Sequence, residues 1–168
     1  MKTNPRHPEF AGLDAAIRAC QARGSALSLV HLDIDGFRRH LVMHDTLAAH
    51  NKLRNLQRVV ADLMRGGDLC TPFAEHHVLV ALPECGLQQA LEFVERARLR
   101  LGQFRLDSSV SIAVVHLDPA SSAGAGELIG AARRLVFESK NLGGGHTLCT
   151  TLAPRLPLHQ TRAEATLN

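Results

Sequence analysis

The sequence predicts an α/β sandwich, a mixed central β-sheet flanked by helices. Three observations point there. Short apolar runs alternate with longer stretches of helical periodicity, in the order β-α-α-β-β-α-β-α-β after a leading helix. The first apolar run, ALSLVHLDID, is apolar enough to lie in the middle of a sheet rather than at its edge. The chain has 168 residues, 45% of them hydrophobic, which suits one globular domain with a sizeable core.

The elements follow in order. Residues 9–23 predict a helix, with Phe10, Leu13, Ile17 and Cys20 at helical spacing and Gly24 ending it. Residues 26–35 predict the central strand, and GFRRHLVMH a short helix. Asp45 is placed as the cap of a longer helix, with Leu53, Leu56, Val60 and Leu63 along one face. Gly66 and Gly67 stop that helix. DLCTPFA and HVLVALP predict two strands around a tight turn at 74–77, and Pro72 assigns the first to an edge or an irregularity. Residues 87–101 predict a helix turning Leu87, Leu91, Val94, Ala97 and Leu101 inward. SSVSIAVVHL predicts a strand, SSAGAG a loop, and residues 126–141 a helix on Leu128, Ala132 and Leu135. GGGHTLCT leads into a last strand. The expected division is a helical lead over 1–24, the α/β domain over 25–152, and a flexible extension over 153–168 with two prolines and little periodicity.

Composition excludes several classes. Net charge is +3, spread without any block of like charges, which is too weak to argue for nucleic acid. Six Phe with no Tyr or Trp leave no stacking platform for single strands. Cys20, Cys70, Cys85 and Cys149 form no CxxC, so buried, reduced thiols in a cytoplasmic protein are expected. The N-terminus has no apolar core of a signal peptide, and no apolar run is long enough to span a membrane.

Four segments, taken together, carry a resemblance. LDIDGF, VLVALP, VSIAVV and RLVFESKNLGGG stand in the order and spacing of the strand ends and final helix of the GGDEF family of diguanylate cyclases. The resemblance runs from about Ala26 to Thr150 and implies a nucleotidyl cyclase-like sandwich. It also sets the register. In the family the catalytic turn directly precedes the strand matching VLVALP; here that turn reads Ala74-Glu75-His76-His77-Val78. The letters GGD at 66–68 lie upstream of it, where the family carries an RxxD motif. That motif here is Arg65-Gly66-Gly67-Asp68, and LCTPF separates it from the turn with the family's spacing intact.

The resemblance implies that cyclisation has been lost. Joining two GTP needs metal ions held on carboxylates. The family's first metal aspartate is present as Asp33, but the acidic residue of the turn is His76, a nitrogen donor poorly matched to Mg²⁺. The turn glycines are Ala74 and Glu75, and Glu75 adds negative charge beside a triphosphate. The family's guanine-reading asparagine and aspartate become Leu41 and His50. Lys140 remains, while the arginine expected after the glycine is Gly144. Asp33, Glu75, His76, His77 and Lys140 thus form a vestigial active site, with no catalytic residue, metal or cofactor expected.

The RxxD position reads the other way. An arginine fork can grip guanine O6 and N7 or a phosphate, and an aspartate can accept from a guanine edge. Gly66 and Gly67 allow a turn that points both groups outward. The family adds a second arginine twenty residues after the turn's third position, which here is Arg96. The competing reading is a solvated Arg65–Asp68 ion pair with Arg96 a chance member of an arginine-rich helix.

Smaller signals weigh less. His40 and His44 stand at helical i, i+4 spacing but are too few for a zinc site. His76 and His77 with Asp33 would hold a transition metal only as a minor alternative. Asp35 reads as a helix cap.

The expected function is an inactive GGDEF-like receptor for cyclic di-GMP, acting through Arg65, Asp68 and Arg96 and relaying the signal to a protein partner or attached domain. Domains of this kind serve bacterial signalling and exopolysaccharide secretion. A cyclase with residual activity and a nucleotide-free scaffold or homodimerisation module are the alternatives. Neither nucleic acid nor membrane insertion is expected.

Overall fold

The computed structural model describes residues 8–43, 46–72, 76–104 and 108–154. The elements are α1 (Pro8–Ala22), β1 (Leu27–Ile34), α2 (Phe37–Met43), α3 (Thr46–Leu63), β2 (Leu69–Pro72), β3 (His77–Pro83), α4 (Leu87–Gly102), β4 (Val110–Leu117), α5 (Ala125–Asn141) and β5 (Thr147–Leu152). Five strands form one sheet in the order β2-β3-β1-β4-β5. The pairs β2–β3, β1–β3 and β1–β4 are antiparallel, and β4–β5 is parallel. The mixed sheet follows from the connections. Only residues 73–76 separate β2 from β3, whereas α5 crosses over between β4 and β5, as a parallel pair requires.

β1 is central and every one of its residues is buried. Strand alternation divides the core into two layers. Val30, Leu32, Ile34, Val78, Val80, Leu82, Ile112 and Val114 face Leu56, Val59 and Val60 of α3 and Ala90, Phe93, Val94 and Ala97 of α4. Leu27, Leu29, Leu79, Ala81, Ala113 and Val115 face Leu13, Ile17 and Cys20 of α1 and Leu128, Ala132 and Val136 of α5. The leading helix therefore completes one of the two core layers. Pro72 lies in β2, the edge strand, where a missing donor costs least.

Two expectations change. Cys20 and Cys85 are buried, but Cys70 and Cys149 are exposed. They lie at opposite edges, on β2 and β5, where one sheet face is thinly covered. Asp35 is no helix cap. Its carboxylate accepts from Ser109 Oγ at 2.6 Å, Ser111 Oγ at 2.7 Å and the Gly145 amide at 2.8 Å, so it ties the end of β1 to the loop between α5 and β5. Asp45, Ala74 and Glu75 lie outside the described residues, as does His44.

Candidate functional site

Two clusters of polar side chains stand out. The first lies at the C-terminal end of β1. The odd residues of β1 face α5, which puts His31 and Asp33 on one face. His77 stands opposite Asp33 in the β1–β3 register, and Ser111 opposite it in the β1–β4 register. Asp33 is 5% exposed, and Lys140, reaching in from the last turn of α5, donates to its Oδ1 at 2.7 Å. Its Oδ2 lies 3.9 Å from His76 Nε2 and 3.9 Å from His77 Nδ1. Burial pushes the Asp33 carboxyl upward, and the bond from Lys140 opposes it. The rings of His31 and His77 meet edge to face at 4.8 Å, as do those of His77 and His76. His76 stacks on Phe37 at 5.9 Å. Burial holds His77 down at about 4 and His31 at about 3, with the neighbouring cations adding to the effect.

His31 is the residue that sequence reasoning missed. It is 3% exposed, and neither ring nitrogen has a hydrogen-bond partner among the described residues. The one available signal was a single imidazole two residues before Asp33 in an otherwise apolar strand. The side chains of His76 and His77 are only 17% and 12% exposed, so the turn histidines are largely enclosed.

This is the position at which the resemblance sets the family's metal aspartate, Asp33. Mg²⁺ demands six oxygens in near-octahedral array. Among the described residues, Asp33 Oδ1 is committed to Lys140, the Asp35 carboxylate is committed to two serines and an amide, and the other donors are imidazoles. The described residues do not fit Mg²⁺. The positions matched to guanine contacts are equally altered. Leu41 packs against the core, and His50 Nδ1 bonds the Thr46 carbonyl of its own helix at 2.7 Å. Gly144 has φ +82°, and a Cβ there would stand 2.8 Å from Asp35 Oδ2. No side chain fits that position while Asp35 keeps its bonds. A cavity of about 390 Å³ beside this cluster is lined by Phe37, Arg38, Arg39, His76 and Lys140 among others.

The second cluster is the Arg65–Asp68 turn. Asp68 accepts from the Arg65 amide at 2.7 Å, and from Arg65 Nη2 at 3.0 Å. Arg65 Nη2 also donates to the Pro83 carbonyl at 3.1 Å. Gly66 and Gly67 leave the turn open, with nothing within 4 Å of an added Cβ. The two charged groups do not both point outward as the sequence suggested. The Arg65 side chain is 56% exposed, but that of Asp68 is 2% exposed and turned back onto the arginine. The bond from Asp68 also holds Arg65 firmly protonated.

Arg65, Asp68 and Arg96 nevertheless line one cavity of about 230 Å³ between the turn and α4, with Phe93 and Glu92 on its wall. On the outer side of Arg65 a second groove, about 590 Å³, runs along α1 past Arg23 and Glu84. Arg98, close to Arg96 in sequence, does something else. It donates to Thr147 Oγ1 at 2.7 Å and to the Gly145 carbonyl at 2.9 Å, which pins α4 to β5. Among the described residues no helix is long and apolar enough to cross a membrane.

No family model matches the sequence, and neither does any curated protein. Solved structures do match in fold. The diguanylate cyclase SiaD of Pseudomonas aeruginosa, solved with its activator SiaC, has a TM-score of 0.73 at 20% identity over 88% of this chain. This chain spans 62% of SiaD, less than two thirds of its length. The GGDEF domain of DgcB from Caulobacter crescentus, solved in complex with c-di-GMP, has a TM-score of 0.74 at 15% identity, covering 83% of this chain and 86% of that one. The active GGEEF domain of a diguanylate cyclase from Vibrio cholerae has a TM-score of 0.72 at 14% identity, covering 87% and 95%. The mixed five-stranded sheet with helices on both faces is thus the fold of GGDEF, nucleotidyl cyclase-like domains.

Proposed function

We propose that this chain is a catalytically inactive GGDEF-like domain that binds cyclic di-GMP at Arg65, Asp68 and Arg96 and relays occupancy to a protein partner. The observation that carries the reading is the shared cavity. Three side chains, two from the loop before β2 and one from α4, converge on one pocket that the half-exposed Arg65 guanidinium helps to line. The Arg65 end of the pair is half-exposed while the Asp68 carboxylate is buried, so a ligand could exchange the pair only by offering the carboxylate donors of its own. Arg65 would turn its fork to guanine O6 and N7 or to a phosphate, and the released carboxylate would accept guanine N–H groups. The cavity takes one base; the rest of the dinucleotide would lie along the outer groove beside α1.

Support for the inactive reading comes from the first cluster, where Asp33 is paired with Lys140, Gly144 bars a side chain, and the donors do not suit Mg²⁺. That the DgcB domain was solved with c-di-GMP, and SiaD with a protein activator, fits both halves of the proposal. Isothermal titration with cyclic di-GMP, run beside a GTP turnover assay, tests it. Saturable binding without turnover supports the receptor. Turnover supports a residual cyclase, and neither binding nor turnover supports a scaffold or dimerisation module.

A further inference from the structure

We propose that His31, Asp33 and His77 form a site for a transition ion of the Zn²⁺ class, on the sheet face beneath α5. One ligand atom from each of the three lies within 4.8 Å of the others. The placement follows from backbone register. His31 and Asp33 are two residues apart on β1, and His77 is the cross-strand partner of Asp33. The three side chains therefore share one face whatever their rotamers.

His31 points to a ligand independently of that clustering. It is 3% exposed in the apolar layer between β1 and α5, and both its nitrogens lack a hydrogen-bond partner among the described residues. Buried polar atoms are nearly always satisfied, and an orphan calls for an occupant. A metal ion would satisfy one of the two nitrogens without requiring a new side chain.

The donor set chooses the ion. Two imidazoles and one carboxylate oxygen suit Zn²⁺ and its neighbours in the first transition row, and repel Mg²⁺ and Ca²⁺, which seek oxygen. Asp33 is already divided for the purpose: Oδ1 is held by Lys140, and Oδ2 is turned toward His76 and His77. Zn–N and Zn–O bonds of about 2.0–2.2 Å put tetrahedral ligand atoms roughly 3.3–3.5 Å apart. Asp33 Oδ2 and His77 Nδ1 stand 3.9 Å apart, and the three ligand atoms lie within 4.8 Å of one another, so the site must contract by up to roughly 1.3–1.5 Å to close on an ion. His76 Nε2 stands on the more open side and offers the fourth donor, or leaves room for water. Lys140 and Arg133 add positive charge nearby and oppose a dication. Lys140 is the bond that orients Asp33, as outer partners of metal ligands do, and its 35% exposed side chain lets its charge remain near water.

The test uses the full chain without an affinity tag, stripped with a chelator and dialysed. Co²⁺ is titrated as a coloured probe, and Zn²⁺ is then added in competition. The expected result is one ion per chain, d–d absorption of four-coordinate strength, and displacement by Zn²⁺ but not by millimolar Mg²⁺. His31→Ala is expected to weaken Co²⁺ binding at least tenfold. If that variant does not fold, His77→Gln, at the more open end of the site, carries the same expectation. Absence of stoichiometric Co²⁺ and Zn²⁺ binding by the wild type overturns the proposal. So does binding unchanged in the folded variants, or lost instead on replacing His40 and His44, or displacement by Mg²⁺.

Discussion

Replacing His31 by leucine should make the metal-free protein more stable. The substitution removes two buried ring nitrogens that have no hydrogen-bond partner among the described residues. Each such atom costs roughly 1–3 kcal/mol in desolvation, less whatever the fold recovers by relaxing. Leucine is similar in volume and joins an apolar neighbourhood, since the cross-strand partners of His31 are Leu79 and Ala113. A net gain of about 1–3 kcal/mol follows. At about 3 °C per kcal/mol for a chain of this size, the midpoint should rise by about 3–9 °C. Acid should widen the gap. Burial lowers the folded His31 to about 3 from 6.5. Between those values the unfolded chain binds a proton that the folded chain refuses, so wild-type stability falls as pH drops below about 6.5. Leucine binds no proton in either state. Moving from pH 7.5 to pH 5 should therefore add about 2 kcal/mol to the difference, while the titration of His77 is common to both proteins and cancels. Urea unfolding with chelator present, at both pH values, measures this. A leucine variant less stable than wild type at pH 7.5, or a gap that does not grow at pH 5, would refute the reasoning.

Other perturbations reach the remaining features. With Mg²⁺ or Mn²⁺, GTP should not be converted to cyclic di-GMP, and His76→Glu should not restore conversion, because Leu41, His50 and Gly144 still leave the nucleotide poorly held; product that disappears on Asp33→Ala would count against this. Arg65→Ala should weaken cyclic di-GMP by about thirtyfold, on the order of 2 kcal/mol for a charge-assisted fork, with Arg65→Lys rescuing little and cyclic di-AMP binding poorly to wild type; equal affinities by titration would remove the site. Gly144→Arg should destabilise by roughly 1–3 kcal/mol through its left-handed backbone and its collision with Asp35, read as a lowered urea midpoint. Arg98→Ala should lower thermal stability while leaving ligand affinity unchanged, whereas Arg96→Ala should do the reverse, and a shared phenotype would show that the two arginines are not divided as the structure has them.

The architecture was legible because it is written in periodicities. VLVALP and its neighbours alternate or run apolar over strand lengths, and Leu56, Val60, Val94 and Ala97 recur at helical spacing, so element order survives at low identity. The site was legible only in part. Arg65, Asp68 and Arg96, singled out by spacing, line one cavity. That spacing carried no information on where Asp68 would point, because a carboxylate three residues from an arginine can turn outward to solvent or back onto its neighbour. Asp35 was misread because helix caps are local, whereas its partners Ser109 and Gly145 are far away in sequence. His31 was overlooked because one imidazole in an apolar strand looks like an ordinary buried residue until register sets Asp33 and His77 beside it. The enclosure of the turn histidines was not legible either, because a polar pair in a turn gives no hint that their side chains will be only 17% and 12% exposed.

Gly144 also limits what this loop can accept. A glycine codon of the right kind becomes an arginine codon by one base change, so the residue that the family resemblance places here is one mutational step away. It is not structurally adjacent. An arginine at 144 would need the backbone to leave φ +82° and the Asp35 carboxylate to vacate the space 2.8 Å from the new Cβ, and Asp35 in turn holds Ser109, Ser111 and Gly145. One base change at this codon would thus reach beyond one side chain: it would set the new Cβ against the carboxylate that fastens the end of β1 to the loop between α5 and β5.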